Sequence, residues 1–392
     1  SSLEGQLLLG AEGRGRLEMS ELDRRLLVGA AACAGATAGI LLWRTHHKSK
    51  SAESLAKLEP RLEYFDPKAR TDALEFDKPI APHPSELYQA SKGEAIEFNC
   101  VRQGGLSAVS EEHVRAFGRQ AYLVVEDAWN AEQVEDILEG LREVVSSADF
   151  QGKARHTASA QAAGQLDLSK GGLNPVLQFE SFAQHVPEGS RYRLENIRKL
   201  MGFHQSHAVL EALAKNEAML SVLRRLLVEA GCTPEQASEL EVFQSLALLK
   251  PPGGREKPWH QDNAYFDIDH RKVKMVGVWI ALTEVTVDSG AMHVLPAPLA
   301  ELEPFVHFNR RDFQICDTEV LGGERPCLAV PLRPGGMLFF STMLPHGTPT
   351  NTSDNPRYAV QFHFIPKCFT ERTNSAERRA VFGEEGSPGV SC

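Results

Sequence analysis

LPHGTPTNTSDNPRYAVQFHF, residues 344–364, ends in a strictly alternating run. Tyr358, Val360, Phe362 and Phe364 fall on one side of an extended chain, and Arg357, Ala359, Gln361 and His363 on the other. The first set suits packing against helices and the second suits the interior of a barrel, which would bury Arg357. Eleven residues before that arginine stands His346, in a Pro-His-Gly turn. Working outward, PWHQDNAYF at residues 258–266 places His260 and Asp262 two apart, so an extended backbone projects both from one face. Two imidazoles and one carboxylate form the facial triad of non-haem Fe(II) sites, which leaves coordination positions open.

Between these motifs the chain reads as short strands. They are expected over 242–249, 273–282, 292–295, 327–332, 337–341 and 358–365, punctuated by Gly and Pro. That texture predicts a mainly β core, a double-stranded β-helix of the jelly-roll, cupin-like type. Flanking α-helices are expected upstream. Asn130 and Gln133 are spaced for a capping box that opens a helix, in which Val134, Ile137, Leu138, Leu141, Val144 and Val145 form one apolar stripe. A strand is expected over 121–125, and a single helix over 211–230 with Met219, Leu220, Leu223, Leu226 and Leu227 as its core face.

PWHQDNAYF, VWIALTEVTVDSGAMHVLP (278–296) and LPHGTPTNTSDNPRYAVQFHF together resemble the signature blocks of the phytanoyl-CoA dioxygenase family. The likeness runs from about Val114 to Pro366. It implies an enzyme that uses Fe(II), 2-oxoglutarate and O₂, releases succinate and CO₂, and is supported in assay by ascorbate. It implies His260, Asp262 and His346 as catalytic metal ligands, and Arg357 and Thr348 at the distal carboxylate of 2-oxoglutarate. Gln261 and Trp279 fall at positions the family uses near the co-substrate. Arg357 fits that role chemically, because a buried guanidinium needs an anion and its planar fork matches a carboxylate. Relatives that halogenate carry a small residue where Asp262 stands, so hydroxylation of a small or lipid-like molecule is the expected reaction. Desaturation or epimerisation by the same chemistry, and a non-catalytic jelly roll that keeps its metal, are the alternatives. The departure VLPAPLA at 294–300 from the family's usual Gly-Ser-His keeps acyl-CoA recognition from being carried over.

The rest of the 392 residues bounds this reading. A net charge of −10 gives no support for a nucleic-acid partner. Seven scattered cysteines, none in CxxC spacing, argue against a zinc cluster or a disulfide framework. Residues 1–25 read as an unstructured tail. Residues 26–43 contain no charge and are flanked by basic residues, long enough to act as a transmembrane anchor, with a cleaved targeting segment as the alternative. The expectation is a membrane-anchored protein with a single N-terminal hydrophobic helix. Residues 44–109 read as a linker with irregular structure, 110–370 as the oxygenase domain and 371–392 as a C-terminal tail. The segment 151–174 reads as a lid or a disordered loop. His204, His207, His270, His293 and His363 are assigned to structural roles.

Overall fold

In the computed structural model the alternating run becomes a ten-residue strand at the centre of the largest, nine-stranded sheet. The structure describes residue 88 and residues 98–153, 155–156, 176–266, 268–309, 312–315, 319–320 and 325–369. All of these lie in one unit, Leu58–Cys392. The expectations for residues 1–25, 26–43, most of 44–109, most of the 151–174 loop and 371–392 fall outside the described residues. Among those described, no helix is long and apolar enough to cross a membrane.

In chain order the strands are β1 Cys100–Val101, β2 Tyr122–Val125, β3 Arg155–His156, β4 Val176–Phe179, β5 Ile197–Met201, β6 Leu240–Lys250, β7 Lys257–His260 and β8 Val276–Ala281. After them come β9 Met292–Val294, β10 His307–Asn309, β11 Phe313–Ile315, β12 Leu328–Val330, β13 Met337–Ser341, β14 His346–Thr348 and β15 Arg357–Pro366. The larger sheet runs β1-β2-β13-β8-β15-β6-β5-β4-β3 and the smaller β12-β9-β14-β7, with β10-β11 as a separate hairpin. Pairing is antiparallel except for β1 with β2 and β3 with β4. Two facing sheets with flanking helices are the jelly-roll architecture expected from the sequence.

The pleat of β15 sorts its residues as the alternation requires. Val360, Phe362 and Phe364 join the large apolar core that also takes the stripes of helices α1 Glu111–Gln120, α2 Ala131–Ser146, α3 Ala208–Ala214 and α4 Glu217–Glu229. Ala359 faces the inner cluster with Trp279, Phe340 and Val294. Helix α2 begins as read, with reciprocal bonds between Asn130 and Gln133. Close approach inside the sheet depends on Gly277. A Cβ there would lie 2.4 Å from Phe340 Cζ, and it is this ring that packs edge-on against His346, 5.0 Å between centroids.

The single helix expected over 211–230 is corrected to two. α3 ends at Ala214, and Asn216 in an extended conformation accepts a bond from the Met219 amide at 3.0 Å, opening α4 as a new N-cap. Asparagine competes for backbone hydrogen bonds in this way, so it interrupts a continuous apolar pattern. Replacing Asn216 with Ala is expected to cost about 1 kcal/mol, read as a lower urea midpoint with activity unchanged.

Candidate metal and co-substrate site

β7 from the smaller sheet delivers His260, and the turn after it delivers Asp262. β14 brings His346 directly opposite His260 in register. The three are buried, and one potential ligand atom from each lies within 4.8 Å of the others. Nε2 of His260 is 3.4 Å from Asp262 Oδ1, and Nε2 of His346 is 3.7 Å from it. Each imidazole turns its Nδ1 to a backbone carbonyl, His260 to Pro258 at 2.8 Å and His346 to Leu344 at 2.9 Å. A carbonyl only accepts, so Nδ1 carries the proton and both Nε2 lone pairs point at one place. These residues fit a divalent metal.

Electrostatics keep the ligands in the binding form. Burial, with His346 and Lys257 nearby, pushes His260 down to about 3 against the opposing pull of Asp262. Burial likewise lowers His346. For Asp262 burial acts upward, but the imidazoles of His363 and His346 and the hydrogen bonds of His260 and His363 win, holding the carboxyl well below its ordinary value. His260 therefore binds a proton in the unfolded chain before it does in the folded one. Between about pH 6.5 and about pH 3 the unfolded state holds more protons, so stability falls as pH falls. In chelator, the urea midpoint is expected to be lower at pH 5 than at pH 7.5, with the steepest loss near about 1.4 kcal/mol per pH unit for each group titrating this way.

Arg357 enters the same cavity, as do Thr348 and Trp279. The guanidinium lies 5.5 Å from the Trp279 ring centroid. Its Nη1 donates to the Leu248 carbonyl at 3.3 Å, while its Nε and the Trp279 Nε1 are buried with no hydrogen-bond acceptor among the described residues. Buried donors without acceptors are costly, and a cavity that orphans two of them is shaped for an acceptor-rich ligand. Thr348 Oγ1 accepts from Lys250 Nζ at 2.8 Å, so a second nitrogen donor stands at the position expected for the distal carboxylate, its pKa held well below the ordinary lysine value by burial and by Arg357 and Arg198.

Gln261 does not belong with this group. Its amide nitrogen donates to the Glu303 and Met343 carbonyls at 2.9 and 2.8 Å, and its oxygen accepts from the Phe305 amide at 2.8 Å. Alternation turns it away from its neighbours His260 and Asp262, and it pins the loop before β10 instead. His363, read from the sequence as structural, lies 2.7 Å from Asp262 Oδ2 through its Nε2. It is wholly buried, with Phe266 edge-on beside it. It and Gln361, 3.4 Å from the same oxygen, restrain the carboxylate that Asp262 would present to a metal. The signal was present in the sequence, since His363 shares the inward face with Arg357, but strand register alone puts it beside Asp262. Lys250, Lys199, Lys257 and Arg198, which also line the cavity, were not singled out beforehand.

A buried two-histidine, one-carboxylate cluster inside a double-stranded β-helix, with an arginine across the cavity whose Nε lacks an acceptor, defines the class of 2-oxoglutarate-dependent non-haem iron dioxygenases. Residues 117–359 match the family model described as phytanoyl-CoA dioxygenase (PhyH). The chain belongs to that family. A phytanoyl-CoA dioxygenase domain-containing protein 1 homolog of Caenorhabditis briggsae is 22% identical over 270 residues, 65% of this chain and 90% of the relative. A hypophosphite dioxygenase of Stutzerimonas stutzeri, described as probable and alpha-ketoglutarate-dependent, is 24% identical over 188 residues, 47% of this chain and 52% of the relative. Among solved structures, the alpha ketoglutarate dependent carbocyclase SnoK from nogalamycin biosynthesis aligns with a TM-score of 0.47 at 20% identity, covering 68% of this chain and 87% of that one. EctD from S. alaskensis with 2-oxoglutarate and 5-hydroxyectoine aligns at 0.46 and 18%, covering 76% and 98%.

Proposed function

We propose that this chain hydroxylates a small or lipid-like organic substrate, consuming 2-oxoglutarate and O₂ and releasing succinate and CO₂. The observation that carries the reading is the cluster of His260, Asp262 and His346 facing the unpartnered Nε of Arg357 across one cavity. His260 and His346 would hold Fe(II) through Nε2 and Asp262 through a carboxylate oxygen. The iron, when bound, supplies the oxygen chemistry that side chains lack. The protein's own residues orient and restrain. Arg357, with Thr348 and Lys250, receives the distal carboxylate of 2-oxoglutarate, Trp279 stacks beneath the guanidinium, and His363 fixes the Asp262 carboxylate. The carboxylate at 262 favours hydroxylation over halogenation, because it fills the place a halide would need. Residues 26–43 are proposed to tether this domain to a membrane, a reading that rests on their charge-free length.

The test is conversion of 2-oxoglutarate to succinate by the purified chain with Fe(II) and ascorbate. Iron-dependent succinate is the expected result. Failure to bind either Fe(II) or 2-oxoglutarate would sink the assignment. Binding of both without succinate, across a broad panel of substrates, would instead favour a metal-retaining binding protein.

A further inference from the structure

The ligand-bearing strands are also held from behind. Lys257 and His260 both line the cavity and stand three apart on β7, while their partners Thr348 and His346 are two apart on β14. The register shifts between the two pairs, so β7 carries one extra residue there. Side chains of a regular strand alternate, and an uninterrupted β7 would turn either Lys257 or His260 off the inner face. A bulge re-aims a side chain, and this one lets both face inward. Trp259 turns the other way, 1% exposed and absent from the cavity lining.

Tyr88 packs on the outer side of this bulge. Its ring stacks on Trp259 at 5.6 Å between centroids and 17° between planes, and stands edge-on to His293 of β9 at 5.2 Å. Its hydroxyl donates to the Lys257 carbonyl at 3.2 Å. Room for that hydroxyl comes from Gly347, the neighbour of His346 on β14. A Cβ there would lie 3.0 Å from Tyr88 Oη, 3.1 Å from the Trp259 amide nitrogen and 3.2 Å from the Lys257 oxygen. Tyr88 is itself buried, in a small cluster with Trp259, Leu295 and Ile315. It lies outside residues 117–359, which match the family model, so this contact comes from a part of the chain beyond the matched region.

We propose that Tyr88 is a positioning residue, pinning the β7 bulge from outside the barrel and so keeping His260 turned toward Asp262 and His346. This rests on the metal site proposed above. Tyr88 touches no ligand atom and acts through the backbone. The carbonyl of Pro258, next in the chain after Lys257, accepts from His260 Nδ1 at 2.8 Å, so the segment that Tyr88 holds is the one that orients the imidazole. Without the clamp the bulge is free to shift along β7, and a slip of one residue turns His260 off the inner face.

The experiment is a calorimetric titration of the full chain with Mn(II), for the wild type, Tyr88→Phe and Tyr88→Leu, each beside its metal-free urea midpoint. Phenylalanine keeps the stacked ring and loses the hydroxyl, whereas leucine keeps the apolar burial and loses both. Mn(II) affinity is expected to fall about threefold in Tyr88→Phe, the worth of one neutral hydrogen bond. In Tyr88→Leu it is expected to fall about tenfold or more, the lower end of the loss when a group behind a metal ligand is removed. Asn216→Ala, which acts on the cap of α4, is the comparison: its urea midpoint falls and its Mn(II) affinity stays. Wild-type Mn(II) affinity in both Tyr88 variants, whatever their urea midpoints, would overturn the inference and leave Tyr88 a packing residue. An equal loss of Mn(II) affinity in Asn216→Ala and Tyr88→Leu would overturn it too, because affinity would then track stability alone. If Tyr88→Leu does not fold, Tyr88→Phe decides by itself, and wild-type affinity there overturns the inference. Failure of the wild type to bind Mn(II) would be a different result, removing the metal site on which the inference stands.

Discussion

His346→Ala is expected to lower iron-dependent succinate formation more than about 100-fold, because loss of a partner one shell further out already costs about 10- to 100-fold in such sites. The ligands come from two places in the fold. His260 and Asp262 share one short stretch, whereas His346 arrives on β14, which pairs with β7 on one side and β9 on the other. Removing it leaves two ligands on one side of the metal position. Iron content after gel filtration is expected to fall with activity. The fold should persist, since the β14 backbone ladder does not depend on the imidazole, and an unchanged far-ultraviolet spectrum would check this. Full succinate formation by a folded His346→Ala protein would show that the metal is held elsewhere.

The second large effect belongs to Arg357. Arg357→Ala is expected to raise the 2-oxoglutarate KM by about 30- to 5,000-fold, the range that follows from truncating one partner of a buried, hydrogen-bonded charge pair. Arg357 is only 2% exposed, so water cannot replace it. Its low exposure also explains why the orphaned Nε matters, as that nitrogen has given up solvent without an internal acceptor in exchange. Arg357→Lys should recover little, because an ammonium lacks the planar fork and Lys250 already occupies the neighbouring position across the β15–β6 pair. Titration of succinate formation against 2-oxoglutarate, beside direct binding to the Mn(II) form, separates co-substrate affinity from turnover. An unchanged 2-oxoglutarate affinity in the alanine variant would move the distal carboxylate to Lys250 and Thr348.

Much of this site was legible before the structure. The period of two around Arg357 is a geometric property of any extended chain, and the same rule paired His260 with Asp262. The capping box at Asn130 and Gln133 was equally local, since both partners lie within one turn. Where the sequence misled, it did so by continuity: the apolar spacing of residues 211–230 carries on through Asn216, but a cap is a matter of backbone conformation that spacing does not encode. Gln261 was misplaced for the opposite reason. It lies between two ligands in sequence and on the other face of the chain in space.

By itself the sequence determined the class of fold and the candidate ligands, because strand alternation and the spacing of chemically distinctive residues are short-range and survive without a partner. Only the tertiary structure decided what surrounds them. Asp262 and His363 are separated by 101 residues, Lys250 and Thr348 by 98, and the side chains of Arg198 and Lys199 meet the cavity only through a bulge. Those placements follow from cross-strand register and from the facing of two sheets, which are long-range relations. The charge and shape of the cavity therefore belong to the fold as a whole.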